Sequence, residues 1–115
     1  MKKDSVVYLR HIMDAINRVE KYTRGILYQN FMENDIVQAA VIREFEIIGE
    51  AAKRISEDIR TKYPAIPWRN MAGMRDKLVH DYMGVDMDAV WNTVEKDIPN
   101  LKKTIKIAIE MEEGH

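Results

Sequence analysis

The stretch Met74-Arg75-Asp76-Lys77-Leu78-Val79-His80-Asp81-Tyr82 gathers the side chains of this chain best equipped for acid–base and phosphate chemistry. Met71, Leu78 and Val79 keep a helical rhythm, so the polar residues between them are displayed from a regular element. On an ideal helix Arg75 and Tyr82 share one face, while Asp76 and His80 share another roughly 100–140° away. A titratable imidazole suits proton transfer near neutral pH. A guanidinium suits a phosphate and the charge that develops on it. Placed on one arc, the two point to chemistry at a phosphodiester. The same residues can also be read as a solvated polar face. Gly73 favours the functional reading, because a glycine inside a helix costs roughly 1 kcal/mol against alanine and is best tolerated where a backbone or ligand comes close. It predicts a helix crossing beside the motif.

The other candidates are weaker. His115 is terminal, and His11 lies beside the apolar stripe of the first helix, where a structural or exposed role is the default. Glu50, Lys53 and Arg54 have the spacing of surface ion pairs on a helix, with lining a phosphate cleft as the sharper alternative. No metal site is expected: there is no His-x3-His, no cysteine, and Asp76–His80 fits an orienting hydrogen bond better than a clamp. No Gly-rich phosphate loop or nucleophile elbow occurs, and no cofactor is implied.

The elements that must position these residues are helices, for no segment shows the alternation of a strand. A first helix is predicted from Asp4 or Ser5 to about Tyr22, with Leu9, Ile12, Met13, Ile16 and Val19 facing inward. Gly25 to Glu33 forms a connector, apolar enough at Ile26, Leu27, Tyr28 and Phe31 to pack or to hold a short helix. Asn34 or Asp35 caps a long second helix reaching about Lys62. Along it Val41, Phe45, Ile48, Ala52, Ile55 and Ile59 make a bundle seam. Tyr63-Pro64-Ala65-Ile66-Pro67 ends it, and Pro67 opens a third helix, about Trp68 to Tyr82, that carries the motif. Met83-Gly84-Val85-Asp86 is a turn. Asp86 or Asp88 caps a fourth helix with Val90, Trp91, Val94, Ile98, Leu101, Ile105, Ala108 and Ile109 inside; Pro99 should kink or split it. The expected fold is an all-α, up-down bundle of four to five helices, one domain over residues 1–115.

Composition narrows the function classes. The chain is 46% hydrophobic and 32% charged, with eighteen basic residues against nineteen acidic ones and a net charge of −1. Bulk attraction to nucleic acid would need a basic chain, so any RNA contact must be a local patch. No apolar run approaches membrane-spanning length, and the N-terminus lacks the apolar core of a signal peptide. With no cysteine, a reducing, cytoplasmic setting is expected. The eight methionines suit core filling.

Arg75 to Tyr82 resembles the Arg-x4-6-His motif of the HEPN superfamily, in the Arg-x4-His-x-Tyr form of its HepT-like toxins. Ile48-Gly49-Glu50-Ala51-Ala52-Lys53-Arg54-Ile55, Pro67-Trp68, and the segment from Val90-Trp91 to Pro99-Asn100-Leu101 also resemble that family, so the likeness spans nearly the whole chain. Asp76 stands where many members have Asn, and Asp81 where many have a small residue. The resemblance implies a homodimeric helical bundle acting as a metal-independent endoribonuclease. It would be the toxin of a type VII (MNT/HEPN) toxin–antitoxin system. The implied partner is a small MNT-type nucleotidyltransferase antitoxin, which transfers AMP onto the motif tyrosine, here Tyr82.

Metal-free cleavage by the 2′-hydroxyl needs a base, an acid and positive charge at the phosphate. One chain offers a single motif histidine, whereas a two-fold dimer offers two His80 and two Arg75. In this reading His80 is the general acid/base, Arg75 stabilises the phosphate, Asp76 orients His80, and Tyr82 contacts phosphate or ribose. Two other readings stand beside it. One is a non-catalytic helical module that binds nucleotide or substrate for a nucleotidyltransferase; the other is a purely structural adaptor.

Overall fold

Helix caps, apolar seams and prolines set where each element begins and ends. In the computed structural model, which describes residues 2–80 and 86–114 and the side chains of 4–74 and 86–114, the elements are all helical. They are α1 (Lys2–Thr23), α2 (Tyr28–Met32), α3 (Asp35–Lys53), α4 (Glu57–Lys62), α5 (Trp68–His80), α6 (Met87–Asn92), a π-helical turn (Thr93–Asp97) and α7 (Ile98–Glu113). Among the described residues there is no strand, and no helix is long and apolar enough to cross a membrane. The bundle expected from periodicity is what forms.

The helix α1 begins before Asp4 and Ser5, so neither is its cap. Ser5 is instead buried. Its hydroxyl donates to Ser56 Oγ at 3.0 Å and accepts from the Ser56 N–H at 3.1 Å. The inner face of α1 is Leu9, Ile12, Ala15, Ile16 and Val19, with Met13 only partly covered. Gly25 follows at φ 75°, the left-handed conformation that ends a helix without Cβ strain. The apolar connector holds the short helix α2, whose Phe31 is fully buried with its ring centroid 4.9 Å from that of Trp91. Leu27 stays exposed. Gln38 reaches back from α3 to donate to the Phe31 and Met32 carbonyls at the end of α2, adding to the bond that the Phe31 carbonyl accepts from Asn34 N–H.

Asn34 caps α3 through its side chain, accepting from Val37 N–H at 3.0 Å. The predicted continuous helix to Lys62 is interrupted after Lys53. Ser56 caps the new helix α4 by accepting from Ile59 N–H. Arg60 then folds back, its guanidinium donating to the carbonyls of Ala52 at 2.8 Å and Ile55 at 3.2 Å. Those carbonyls lose helical partners at the break, and the arginine replaces them. The seam survives the interruption: Val41, Phe45, Ile48, Ala52, Ile55 and Ile59 are all buried.

Pro67 opens α5 as expected, with Met71 N–H donating to its carbonyl at 3.0 Å. The predicted end at Tyr82 and the turn Met83-Gly84-Val85 lie outside the described residues. Asp86 caps α6 by accepting from Ala89 N–H at 3.1 Å. The fourth helix is split, though not by a simple kink. Pro99 cannot donate to the carbonyl one turn back and its ring presses on that turn. The chain responds with the wider π-helical turn just upstream. Beyond it the predicted inner face is buried from Ile98 to Ala108, with Ile109 partly so.

Ion pairs fix the antiparallel order. Arg18 Nε meets Glu44 Oε1 at 2.8 Å between α1 and α3, and Tyr22 also donates to Glu44. Arg10–Glu113 and Lys102–Glu20 join α1 to α7. Thus α1 packs on α3 and α7, and α3 packs on α5. Among the described residues no buried side-chain nitrogen or oxygen lacks a partner.

Candidate active site

The motif helix is seated by its first turn. Trp68 is buried and its indole N–H donates to the Tyr63 carbonyl at 3.1 Å, while Met71 is buried beside it. The incoming corner is held from α7. Glu112 accepts from the Tyr63 hydroxyl at 2.5 Å and pairs with Lys62 Nζ at 2.7 Å. Burial, and then the bond to Glu112, push the Tyr63 phenol up to about 12. A neutral phenol is thereby locked at the entrance to α5.

The structure carries Arg75, Asp76 and His80 on the last two turns of α5. Their side chains, and Asp81 and Tyr82 altogether, lie outside the described residues, as does His115. What the backbone does fix is that Arg75, Asp76 and His80 extend from one continuous helix anchored in the core.

Beside that helix runs an open groove of about 800 Å³. One wall is the first half of α5, and the other is the π-helical turn with the start of α7. Met71, Ile98 and Leu101 form an apolar, buried floor, and Arg69, Asn70, Asp97 and Asn100 stand exposed at the rims. Gly73 lies in the α5 wall. Among the described residues the crossing predicted at this glycine is not found: a Cβ built on it meets nothing within 4 Å. The glycine opens the groove instead. None of the rim residues stood out individually in the sequence, because each is a polar residue on an exposed helix face; only Asp97 and Asn100 belonged to a segment singled out for its resemblance.

Glu50 and Arg54 form the expected i,i+4 ion pair at 3.4 Å. Both line a smaller pocket between α1 and α3, of about 440 Å³, with Tyr8, His11 and Arg43. Arg54 lies over the Tyr8 ring, and the His11 ring meets Tyr8 edge-on. Lys53 is exposed at the end of α3. Among the described residues no cluster of histidine and carboxylate side chains is placed to hold a metal ion.

The chain as a whole is similar to known proteins. The chain matches a family model described as Ribonuclease HepT-like over residues 12–108. It is 50% identical over 102 residues to the "Probable ribonuclease HepT" of Thermococcus cleftensis, covering 89% of this chain and 93% of that one. Over 113 residues it is 42% identical to a Methanocaldococcus jannaschii protein whose name calls it a putative RNase, covering 98% and 93%. A further protein of that organism, named as a gamma-glutamylcyclotransferase and putative RNase, is 45% identical over 115 residues, 99% of this chain and 52% of its own length. No solved structure matches. Matched over most of its length by the family model and by ribonuclease-named relatives, this all-helical chain belongs to the HepT-like ribonuclease family.

Proposed function

We propose that this protein is a metal-independent endoribonuclease and the toxin of a toxin–antitoxin pair. The observation that carries this reading is the placement of Arg75 and His80 on one core-anchored helix, in a chain whose family and relatives bear ribonuclease names. His80 serves as general acid/base. As base it takes the proton from a ribose 2′-hydroxyl, whose oxygen attacks the adjacent phosphorus. As acid, on the same or a second copy, it protonates the leaving 5′-oxygen. Arg75 holds the phosphate and offsets the charge of the transition state. Asp76 orients His80, and Tyr82 contacts phosphate or ribose. The products are a 2′,3′-cyclic phosphate and a 5′-hydroxyl.

The site needs an acid and a base at once, and two copies related by a two-fold axis supply both. The working form in this reading is a homodimer. An MNT-type nucleotidyltransferase partner silences it by adding AMP to Tyr82, which places negative charge and bulk where substrate phosphate must sit. Glu50, Lys53 and Arg54 are candidate contacts for RNA outside the cleavage point. The test is RNA cleavage in EDTA by the unmodified protein and by His80→Ala and Arg75→Ala variants. Loss of at least about 100-fold in each variant is expected, and undiminished cleavage by either would remove that residue from the mechanism. After incubation with the nucleotidyltransferase and ATP, intact-mass measurement should show AMP adducts that Tyr82→Phe abolishes.

A further inference from the structure

We infer that the groove between α5 and the π-helical turn is a guanine-reading subsite for the RNA strand. This rests on the ribonuclease reading for its biological use, though not for the binding itself.

Several polar groups in the groove are already committed to the backbone. Thr93 and Thr104 turn their hydroxyls back to the carbonyls of Ala89 and Leu101, and Asn100 donates to the Lys96 carbonyl. Asp97 is different. It is the last residue of the π-helical turn, inside a continuous helical run, and its side chain is not used in any capping bond. Among the described residues neither Asp97 nor Arg69 has a hydrogen-bond or ion-pair partner, and Asn70 has none either. Elsewhere, facing charges on neighbouring helices do pair: Arg10 with Glu113, Lys62 with Glu112, Lys102 with Glu20. Arg69 and Asp97 border one groove and remain apart.

An acceptor-only carboxylate on one wall and a donor-only guanidinium on the other, over an apolar floor, define what fits between. The ligand needs a flat apolar face, two donors on one edge and acceptors on another. Guanine has these: N1–H and N2–H₂ are adjacent donors for a carboxylate, and O6 and N7 are the acceptors that arginine most often reads. Adenine, cytosine and uracil each present a single donor group on their pairing edge, so none can engage both carboxylate oxygens this way. Unpaired RNA bases are read by hydrogen bonds of this kind to their edges. The volume, about 800 Å³, is within the range of small-ligand sites and admits a nucleotide with its sugar. The π-helical turn contributes Thr93 and Asp97 to this wall, and such turns recur at functional sites. The missing Cβ of Gly73 keeps the opposite wall low. The groove flanks the first half of α5, so a base seated there lies on the same helix that carries Arg75 and His80.

The test uses uridine-rich oligonucleotides carrying one central guanine, adenine or cytosine. Binding is measured by fluorescence anisotropy on the full chain with His80→Ala, so that cleavage cannot interfere, and cleavage is measured separately on the otherwise unmodified chain. The guanine oligonucleotide is expected to bind about 10-fold more tightly than the others. Asp97→Asn, which replaces an acceptor by a group that also donates, should remove that preference without lowering affinity for the adenine oligonucleotide. Asp97→Glu should retain part of it. Equal binding of all three strands, or a preference untouched by Asp97→Asn, overturns the subsite whatever the cleavage result. Guanine-selective binding without any cleavage supports the subsite and overturns the ribonuclease reading instead. If Arg69→Ala or Asp97→Asn dissociates a dimer in sedimentation, the groove belongs to a second copy and the subsite is wrong.

Discussion

Two glycines of this chain should respond to alanine in opposite directions, and the sign at each follows from its surroundings. Gly73 lies within α5, and among the described residues a Cβ there meets no atom within 4 Å. The substitution therefore removes the backbone entropy penalty of a helical glycine without a steric cost. The gain should be about 0.8–1 kcal/mol, or a rise in Tm of about 3–5 °C for a domain of this size. Gly25 also has open space around it, but its φ is +75°. An alanine at Gly25 must hold the left-handed conformation, which costs roughly 1–2 kcal/mol. Urea titrations of both variants, with thermal melts followed by circular dichroism, give the comparison directly. Gly73→Ala should raise the urea midpoint without changing the slope, and Gly25→Ala should lower it. A destabilised Gly73→Ala would refute the reasoning, because it would mean that something fills the groove wall where the chain leaves open space. Running the melts at several protein concentrations sharpens this. A loss of stability that grows with concentration would identify a second copy as the obstruction.

Further outcomes follow from the α3–α4 corner and from the seat of α5. Ser56→Ala removes the cap of α4 and leaves the buried Ser5 hydroxyl without its acceptor; the combined cost should be about 2 kcal/mol in chemical denaturation, and a change below a few tenths would show that the corner does not depend on this pair. Tyr63 is held neutral, with its phenol raised from 10 to about 12. Its contribution to stability is therefore complete below pH 10 and is lost as pH rises through 12. Denaturation followed from pH 9 upward should show an alkaline decline that Tyr63→Phe flattens; an unchanged decline would assign it to other groups.

Much of the fold was legible because local signals and periodicity agreed. The seam from Val41 to Ile59, the caps Asn34 and Asp86, and the opening of α5 at Pro67 are all where their residue types put them. The break after Lys53 was not, because the seam runs through it without a missed step. Its causes are long-range or cooperative: Ser56 is bonded to Ser5 from another helix, and Arg60 supplies donors to carbonyls on the preceding one. Pro99 announced a disturbance but not its form, since a proline can be met by a kink or by a wider turn. At Gly73 the usual inference from a helical glycine failed, for the glycine borders open space rather than a crossing. Type and spacing put Arg75 and His80 on one helix, and α5 does run through both positions. The groove was illegible for a plain reason. Its walls come from separate helices, and Arg69 and Asp97 look like ordinary solvated charges until the fold sets them on either side of one apolar floor.

The ends of the cleavage products report on the chemistry of the site directly. Purified protein is incubated with a defined single-stranded RNA in excess EDTA, and the fragments are characterised by mass spectrometry. Cleavage leaving 2′,3′-cyclic phosphate and 5′-hydroxyl termini is expected, abolished in His80→Ala. Fragments ending in 3′-hydroxyl and 5′-phosphate, or cleavage that vanishes in EDTA and returns with a divalent metal, would contradict it.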